Sequence, residues 1–534
     1  MAEKLKATLP NPLEFRLNDP NYTIYHRAAL GGLAATISAW RRNPPQGITT
    51  DVQSNYVSLR WGDDVTNEQA FRRILEASFG LNDIGLIDLP GQRIDADRDD
   101  LRLVAHEGIL NSFLQSKDAR KVEGEGRTIP LRSSDDESDV SRQFKYRGIA
   151  KYFHQNADRQ FKLTQQEDGF ITAAIEQWII PGALKGAVSL NASIAEAFLL
   201  LYLMPGCCVF TLRPRRYSKR KQDIQRKKFK YCLVVPDVTD LKRYSTAITF
   251  ISAKLPKANQ AIGTSQVSYL DRVVGGAEEA ALRFLIDLEA QEQVINVRPC
   301  VAGCLAVTMG KVAWDTQQTN RSAMVKVKQD YPEIEVFKAA KKYRNSKFIK
   351  IKKGESMADV ISPIPEMVAA NLAAERHWCS NFKTLIGTER EFRQMLFDMK
   401  GGLNEMHKAI KDEEDKAVIA VFQEAWNRTM GQLGGAATRR GSSFERASET
   451  RAERIRNEIM RTRTADQLAK WFLAFCASAT KGKPIDAFGD EATRKLVCKF
   501  IFDQRNFERF QNLCLFALVS YASDKPKTQK QEKE

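Results

Sequence analysis

A change of pattern near residue 354 constrains this chain more than any other feature. Before it, short apolar runs with strand-like alternation are mixed irregularly with helical stretches. There is almost no strand signal from Pro365 onward. From Pro365 to Ala522, apolar residues recur at helical spacing: Leu396, Met399, Leu403 and Met406, then Val418, Val421, Phe422 and Trp426. Thr464-Ala465-Asp466-Gln467 is a capping-box pattern, opening a helix with Leu468, Phe472 and Phe475 on one face. Phe500, Phe507, Phe510 and Cys514 extend the pattern. The class expected is therefore α+β: an irregular α/β region over 1–354, then a helical bundle over 355–523. The charged tail 524–534 is expected to be disordered.

In the first region, Asp19-Pro20 reads as an N-cap followed by proline at the first helical position. The helix it predicts runs from Asn21 to Trp40. Gly31-Gly32 interrupt that helix at about 1 kcal/mol each, which predicts that another backbone packs closely against them. Tyr56–Trp61 reads as a strand and Asn67–Phe79 as a helix. Leu190–Leu203 reads as a buried helix, and Cys207–Leu212 and Tyr231–Val235 as strands. Leu241–Ser252 and Ala277–Glu289 read as helices. Val301–Met309 and Lys311–Trp314 are expected to form a hairpin turning at Gly310.

Charge narrows the function. The formal net charge is +16, which points to a polyanionic partner, and it is concentrated. From Arg213 to Lys230, ten of eighteen residues are basic: Arg213, Arg215, Arg216, Lys219, Arg220, Lys221, Arg226, Lys227, Lys228 and Lys230. Tyr217 and Phe229 lie among them. The run sits between two apolar strands, so it is a connection anchored at both ends, suited to lying along a phosphate backbone. A second cluster, Lys338–Lys353, holds eight basic residues in sixteen, including Lys341, Lys342, Arg344 and Lys347. A third, Arg439–Arg463, has eight arginines tempered by four glutamates and reads equally well as a salt-bridged solvent face.

Catalytic patterns are scarce. The five histidines, His26, His106, His154, His377 and His407, form no metal-binding motif. There is no phosphate-binding glycine loop. Nine cysteines include no C-x-x-C pair, and Cys300 and Cys304 lack a companion pair, so reduced core cysteines and no metal site or cofactor are expected. The best nuclease candidate is Asp237 with Asp240, which could hold Mg²⁺ just after a strand; the competing reading is a turn and a helix cap. Arg27 beside His26 could bind phosphate or form a buried pair. No signal peptide or membrane-spanning run is visible, and a cytoplasmic protein is expected.

Three blocks carry a family resemblance. They are Leu17-Asn18-Asp19-Pro20 with Thr23-Ile24-Tyr25-His26-Arg27-Ala28-Ala29-Leu30-Gly31-Gly32-Leu33-Ala34-Ala35-Thr36; Tyr231 through Leu241; and Ala281–Leu285 with Val312–Gln318 and Arg321. In this order they resemble the large subunit of type I CRISPR surveillance complexes (Cascade), in the Myxococcus-type, type I-B-like branch that also occurs in cyanobacteria and in Tn7-like transposons. The resemblance implies a non-catalytic subunit. It would read the PAM flanking a DNA target, help open the duplex for guide-RNA pairing, and recruit a nuclease-helicase or transposition proteins. Its partners would be guide RNA, target DNA, and the backbone, guide-RNA-end and small subunits. On hydrogen-bonding chemistry, Asn191, Gln317, Gln318 and Arg321 are the candidate base readers. Lys352-Lys353-Gly354-Glu355-Ser356 before Met357 can encode a purine-rich ribosome site, so a separate bundle product starting at Met357, or at Met367, is expected. A Mg²⁺-dependent nuclease and a free-standing RNA-binding protein are the rival readings.

Overall fold

The computed structural model describes residues 9–40, 43–92, 94, 98–112, 127–131, 142–146, 148–149, 171–173, 190–212, 230–251, 272–295, 300–309, 322–326, 333–342, 347–350, 357–360, 363–398, 400–440, 443–480 and 485–521. The basic run 213–229, the acidic stretch Ser133-Ser134-Asp135-Asp136-Glu137-Ser138-Asp139, Lys311–Trp314 and the tail 524–534 lie outside them. The chain separates into two compact units, residues 1–328 and 329–534. The class is α+β.

The first unit opens with β1 (Leu13–Arg16), α1 (Ile24–Ala39), β2 (Ile48–Val52), β3 (Tyr56–Trp61) and α2 (Asn67–Ser78). Next come β4 (Gly80–Leu81), β5 (Ile87–Asp88), α3 (Asp99–Ser112), β6 (Arg127–Leu131), β7 (Arg142–Tyr146), β8 (Ile171–Ala173), β9 (Leu190–Ala192) and α4 (Ile194–Leu200). It closes with β10 (Cys208–Leu212), β11 (Lys230–Val238), α5 (Leu241–Phe250), β12 (Val273–Val274), α6 (Ala277–Ile295), β13 (Val301–Met309) and β14 (Ser322–Lys326). One sheet has the order β1-β3-β2. The principal sheet has the order β12-β10-β11-β13-β14.

Helix α1 is apolar all round and buried from Ala28 to Ile37, as a helix enclosed by other elements must be. Its two glycines admit other chain segments at close range. A Cβ on Gly32 would lie 2.2 Å from the Tyr202 carbonyl oxygen, and one on Gly206 would lie 1.9 Å from that of Ala28. The backbone approach predicted from Gly31-Gly32 is thus present. Tyr244 of α5 packs against Gly31 and donates from its hydroxyl to the Gly206 carbonyl at 2.6 Å.

Two local expectations need correction. Helix α1 is capped by Thr23, whose Oγ1 lies 2.9 Å from His26 Nδ1, while Asp19 and Pro20 form a preceding turn closed by Tyr22 N–H to Asp19 O. Thr23 wins because its side chain and that of His26 form a reciprocal box. The stretch Leu190–Leu203 is not one helix: Leu190–Ala192 is strand β9, and Ser193 with Glu196 caps a short α4. The capping box overrides the apolar run. Strand β13 pairs with β14 over Gly303–Val307, and the expected partner Lys311–Trp314 lies outside the described residues.

The second unit contains α7 (Ile334–Lys342), a hairpin of β15 (Lys347–Lys350) and β16 (Met357–Val360), and then helices only. These are α8 (Ile364–Ala373), α9 (Phe382–Leu385), α10 (Glu389–Asp398), α11 (Lys400–Ala409), α12 (Glu413–Arg440), α13 (Phe444–Arg461), α14 (Ala465–Thr480), α15 (Asp486–Gly489), α16 (Glu491–Phe502) and α17 (Phe507–Ser520). Rings fill the spaces between helices: Trp378 meets Phe516 edge-on at 4.9 Å, and Phe422 meets Phe475 at 5.2 Å. Helix α14 begins where the Thr464 pattern predicts, with Gln467 N–H donating to Thr464 Oγ1. The Gln467 side chain accepts from Arg463 N–H.

Candidate nucleic-acid interface

The pairing register of the principal sheet decides where its connections emerge. Leu212, the last residue of β10, pairs with Lys230, the first of β11. Tyr231 pairs with Met309, the last residue of β13, and Val307 pairs with Ser322, the first of β14. The connections 213–229 and 310–321 therefore depart from one end of one sheet. The first carries Arg213, Arg215, Arg216, Lys219, Arg220, Lys221, Arg226, Lys227 and Lys228, and Lys230 closes it. The second carries Gln317, Gln318 and Arg321. Both connections lie outside the described residues, but their anchors are fixed by hydrogen-bonded strands.

Asn191 does not join them through this sheet. It lies in β9, opposite Thr172 of a separate two-stranded ladder. Lys341 and Lys342 end α7 in the second unit, Lys347 opens β15 opposite Val360, and Arg344 lies outside the described residues. In the arginine-rich third cluster, Arg454 pairs with Glu458 and Arg456 is buried over the Phe392 ring. Between α12 and α14 an open cleft of about 470 Å³ is lined by Arg428, Gly431, Gln432, Gly435 and Arg439.

The nuclease pairing of Asp237 and Asp240 is not supported. Asp237 lies at the opposite end of β11 from Lys230, about 24 Å away at ~3.4 Å per residue. Its carboxylate accepts from Arg27 Nε at 2.5 Å, so its charge is already matched. Arg27 also donates to the Tyr22 carbonyl at 2.9 Å, which spends it on the fold rather than on phosphate. Asp240 caps α5, accepting from Arg243 N–H at 3.0 Å. The capping reading explains it.

One polar cluster escaped the sequence reading. Glu333, His377 and Asp415 bring their ligand-type atoms within 4.8 Å of one another in the second unit. They lie tens of residues apart, before α7, between α8 and α9, and in the first turn of α12, so no local motif announces them. Burial pushes the Glu333 carboxyl above its usual range. Burial also opposes the charge on Asp415, but His377, Arg509 and Trp378 outweigh it and hold its pKa low. Cys379 Sγ lies 3.1 Å from His377 Nδ1, giving the order Cys–His–Asp. Yet Cys379 is fully buried, and that burial pushes its thiol far up, which disfavours the reactive thiolate. Eight of the nine cysteines are buried and all are free.

Residues 14–201 match the DevT N-terminal domain, and residues 406–534 match the DevT C-terminal domain. Over 501 residues the chain is 24% identical to the CRISPR-associated protein Cas8a1/Csx13 of Myxococcus xanthus (strain DK1622), covering 87% of this chain and 80% of that protein. Over most of its length, then, this chain is similar to a Cas8-type CRISPR-associated protein. In this chain, β10, β11, β13 and β14, with the two connections at their common end, fall between the two matched domains. Among the described residues, no helix is long and apolar enough to cross a membrane.

Proposed function

We propose that this chain is the non-catalytic large subunit of an RNA-guided type I CRISPR complex, and that the shared end of the principal sheet is its DNA-binding edge. The observation that carries the reading is the register. It gives a ten-cation run and a segment with two glutamines and an arginine the same point of departure. In this reading the run Arg213–Lys230 grips phosphates and supplies affinity without sequence. Gln317, Gln318 and Arg321 contact base edges of the PAM. Lys341, Lys342, Arg344 and Lys347 of the second unit add phosphate contacts, and Asn191 is a further base-reading candidate. The subunit helps open the duplex for guide-RNA pairing, and the assembled complex recruits a nuclease-helicase or transposition proteins in the cytoplasm. Similarity to a CRISPR-associated protein over most of the chain supports this role.

The test uses the assembled complex and a panel of PAM sequences. Replacing Lys227, Lys228 and Lys230 with Ala should weaken binding to all targets alike and lower the salt slope by about 3. Replacing Gln317, Gln318 and Arg321 with Ala should change the order of preferred PAMs. If the lysine variant reorders PAMs and the Gln/Arg variant does not, the two roles are reversed. Robust Mg²⁺-dependent cleavage by the pure protein, abolished by Asp240→Ala, would overturn the non-catalytic reading.

We also propose that the gene yields a second product beginning at Met357 or Met367, comprising the helical region to residue 523. Met357 opens β16 and pairs with Lys350 of β15. A product from Met357 therefore omits β15, α7 and Glu333. Mutating both methionines to non-start residues should remove a fragment of roughly 20 kDa from the purified complex, at about 110 Da per residue.

A further inference from the structure

The cluster of Glu333, His377 and Asp415 has features of a metal site. His377 Nε2 lies 2.8 Å from Asp415 Oδ2 and 3.3 Å from Glu333 Oε1. It is sealed from solvent, and neither contact has the geometry of a hydrogen bond. The three atoms thus converge on a shared space without satisfying one another. In a tetrahedral zinc site with bonds of about 2.0–2.1 Å, ligand atoms sit about 3.3 Å apart. The Glu333–His377 separation already has that value, and the Asp415 oxygen needs to yield by about half an ångström.

The surrounding groups orient the ligands. Trp378 donates its backbone N–H to Glu333 Oε2 at 3.0 Å and its indole N–H to Asp415 Oδ2 at 2.9 Å. Arg509 Nε donates to Asp415 Oδ1 at 2.9 Å. Glu333 Oε1 and one lone pair of Asp415 Oδ2 are left aimed at the imidazole. Such outer partners are what fixes carboxylate and imidazole ligands in metal proteins. At His377 Nδ1, Cys379 N–H donates at 3.4 Å, and Sγ lies 3.1 Å away. A cation on Nε2 requires the tautomer with its proton on Nδ1, which then donates to Sγ instead of accepting from Cys379 N–H. Charge favours a cation as well. Arg509 pairs with Asp412, Glu414 and Asp415, and Glu333 lies against His377, so four carboxylates gather around one guanidinium and one imidazole.

We propose that Glu333 Oε1, His377 Nε2 and Asp415 Oδ2 bind a first-row transition-metal dication, Zn²⁺ first among them, which ties the segment before α7 to the start of α12. One nitrogen with two carboxylate oxygens suits zinc and its neighbours better than Mg²⁺, which prefers six oxygens and retains its water. These three protein ligands would leave the fourth position of a tetrahedral zinc to a water or a further group.

The full-length protein, stripped with a chelator, is titrated with Zn²⁺ and separately with Mg²⁺ by calorimetry, and with Co²⁺ by visible absorption. The expected result is one saturable Zn²⁺ site per chain, a Co²⁺ spectrum of four-coordinate type, and no response to Mg²⁺. Glu333→Gln and His377→Ala should each weaken Zn²⁺ binding more than the ~10–100-fold typical of losing an outer partner. Both residues are only part-buried, so the variants are expected to fold, and circular dichroism checks this. The wild-type stoichiometry and Co²⁺ spectrum stand even if a variant fails to fold. Absence of saturable binding to the wild-type chain would mean an ion-pair hub only. Binding that survives both substitutions would place the metal elsewhere. Either outcome overturns the proposal.

Discussion

The two units use charge and close contact in opposite ways. In the first, the interior is sealed by backbone meeting backbone at Gly32 and Gly206, and buried charges are settled in small sets such as Arg98 with Asp100. The long basic run leaves from the sheet end. In the second, aromatic rings space the helices, and Arg509 with His377 gathers four carboxylates around the start of α12. The first unit therefore has no slack at its closest contacts but concentrates its cations in a connection. The second tolerates change on its helix surfaces but depends on one polar hub.

Four substitutions or conditions probe that contrast, ordered from the largest effect. Asp415→Ala leaves Arg509 and the Trp378 indole facing an empty place in a buried network, and should cost about 3–5 kcal/mol. Hydrogen exchange should rise across α12 and α17 while β11 and β13 stay protected. Gly206→Ala forces a methyl into the Ala28 carbonyl and should cost about 3 kcal/mol, with the exchange pattern inverted. If both units loosen together in either variant, the contrast fails. Gly431→Ala adds a Cβ to α12 where nothing lies within 4 Å, and should raise stability by about 0.5–1 kcal/mol in denaturant titrations.

The smallest effect is a pH response confined to the first unit. Burial lowers the pKa of His26, outweighing Glu196 and Asp19, which raise it. Its Nδ1 also accepts from Thr23 N–H at 3.2 Å, which requires an unprotonated nitrogen. The neutral form is the folded form. Its contribution is complete above the ordinary value of 6.5 and is lost as pH falls through the lowered folded value. His26→Gln should flatten the decline in first-unit stability between pH 7 and pH 5. An unchanged slope would remove His26 from the account.

Local signals in the sequence carried much of the fold. Gly31-Gly32 announced a close backbone approach, the Thr464 pattern announced α14, and apolar runs announced β10, β11 and β13. The failures came where two local signals competed. Asp19-Pro20 lost the cap of α1 to Thr23 with His26, and Ser193 with Glu196 cut short the apolar run at Leu190–Leu203. Long-range pairing was not legible. The run Arg213–Lys230 was visible as charge, yet only the register of β11, β13 and β14 relates it to Gln317, Gln318 and Arg321. Glu333, His377 and Asp415 sit on three separated segments with no spacing to betray them. For Asp237 the local signal was ambiguous, because its partner Arg27 is 210 residues away.

The shared sheet end also bears on how this protein can change over generations. A connection that starts and finishes on hydrogen-bonded strand ends can be lengthened, shortened or replaced without moving the register beneath it. Doubling such a loop costs only about 0.6 kcal/mol in closure entropy. The segments 213–229 and 310–321 are thus exchangeable parts on a fixed mount. Grafting 310–321 from a homologue is a small evolutionary step, and a practical one at the bench.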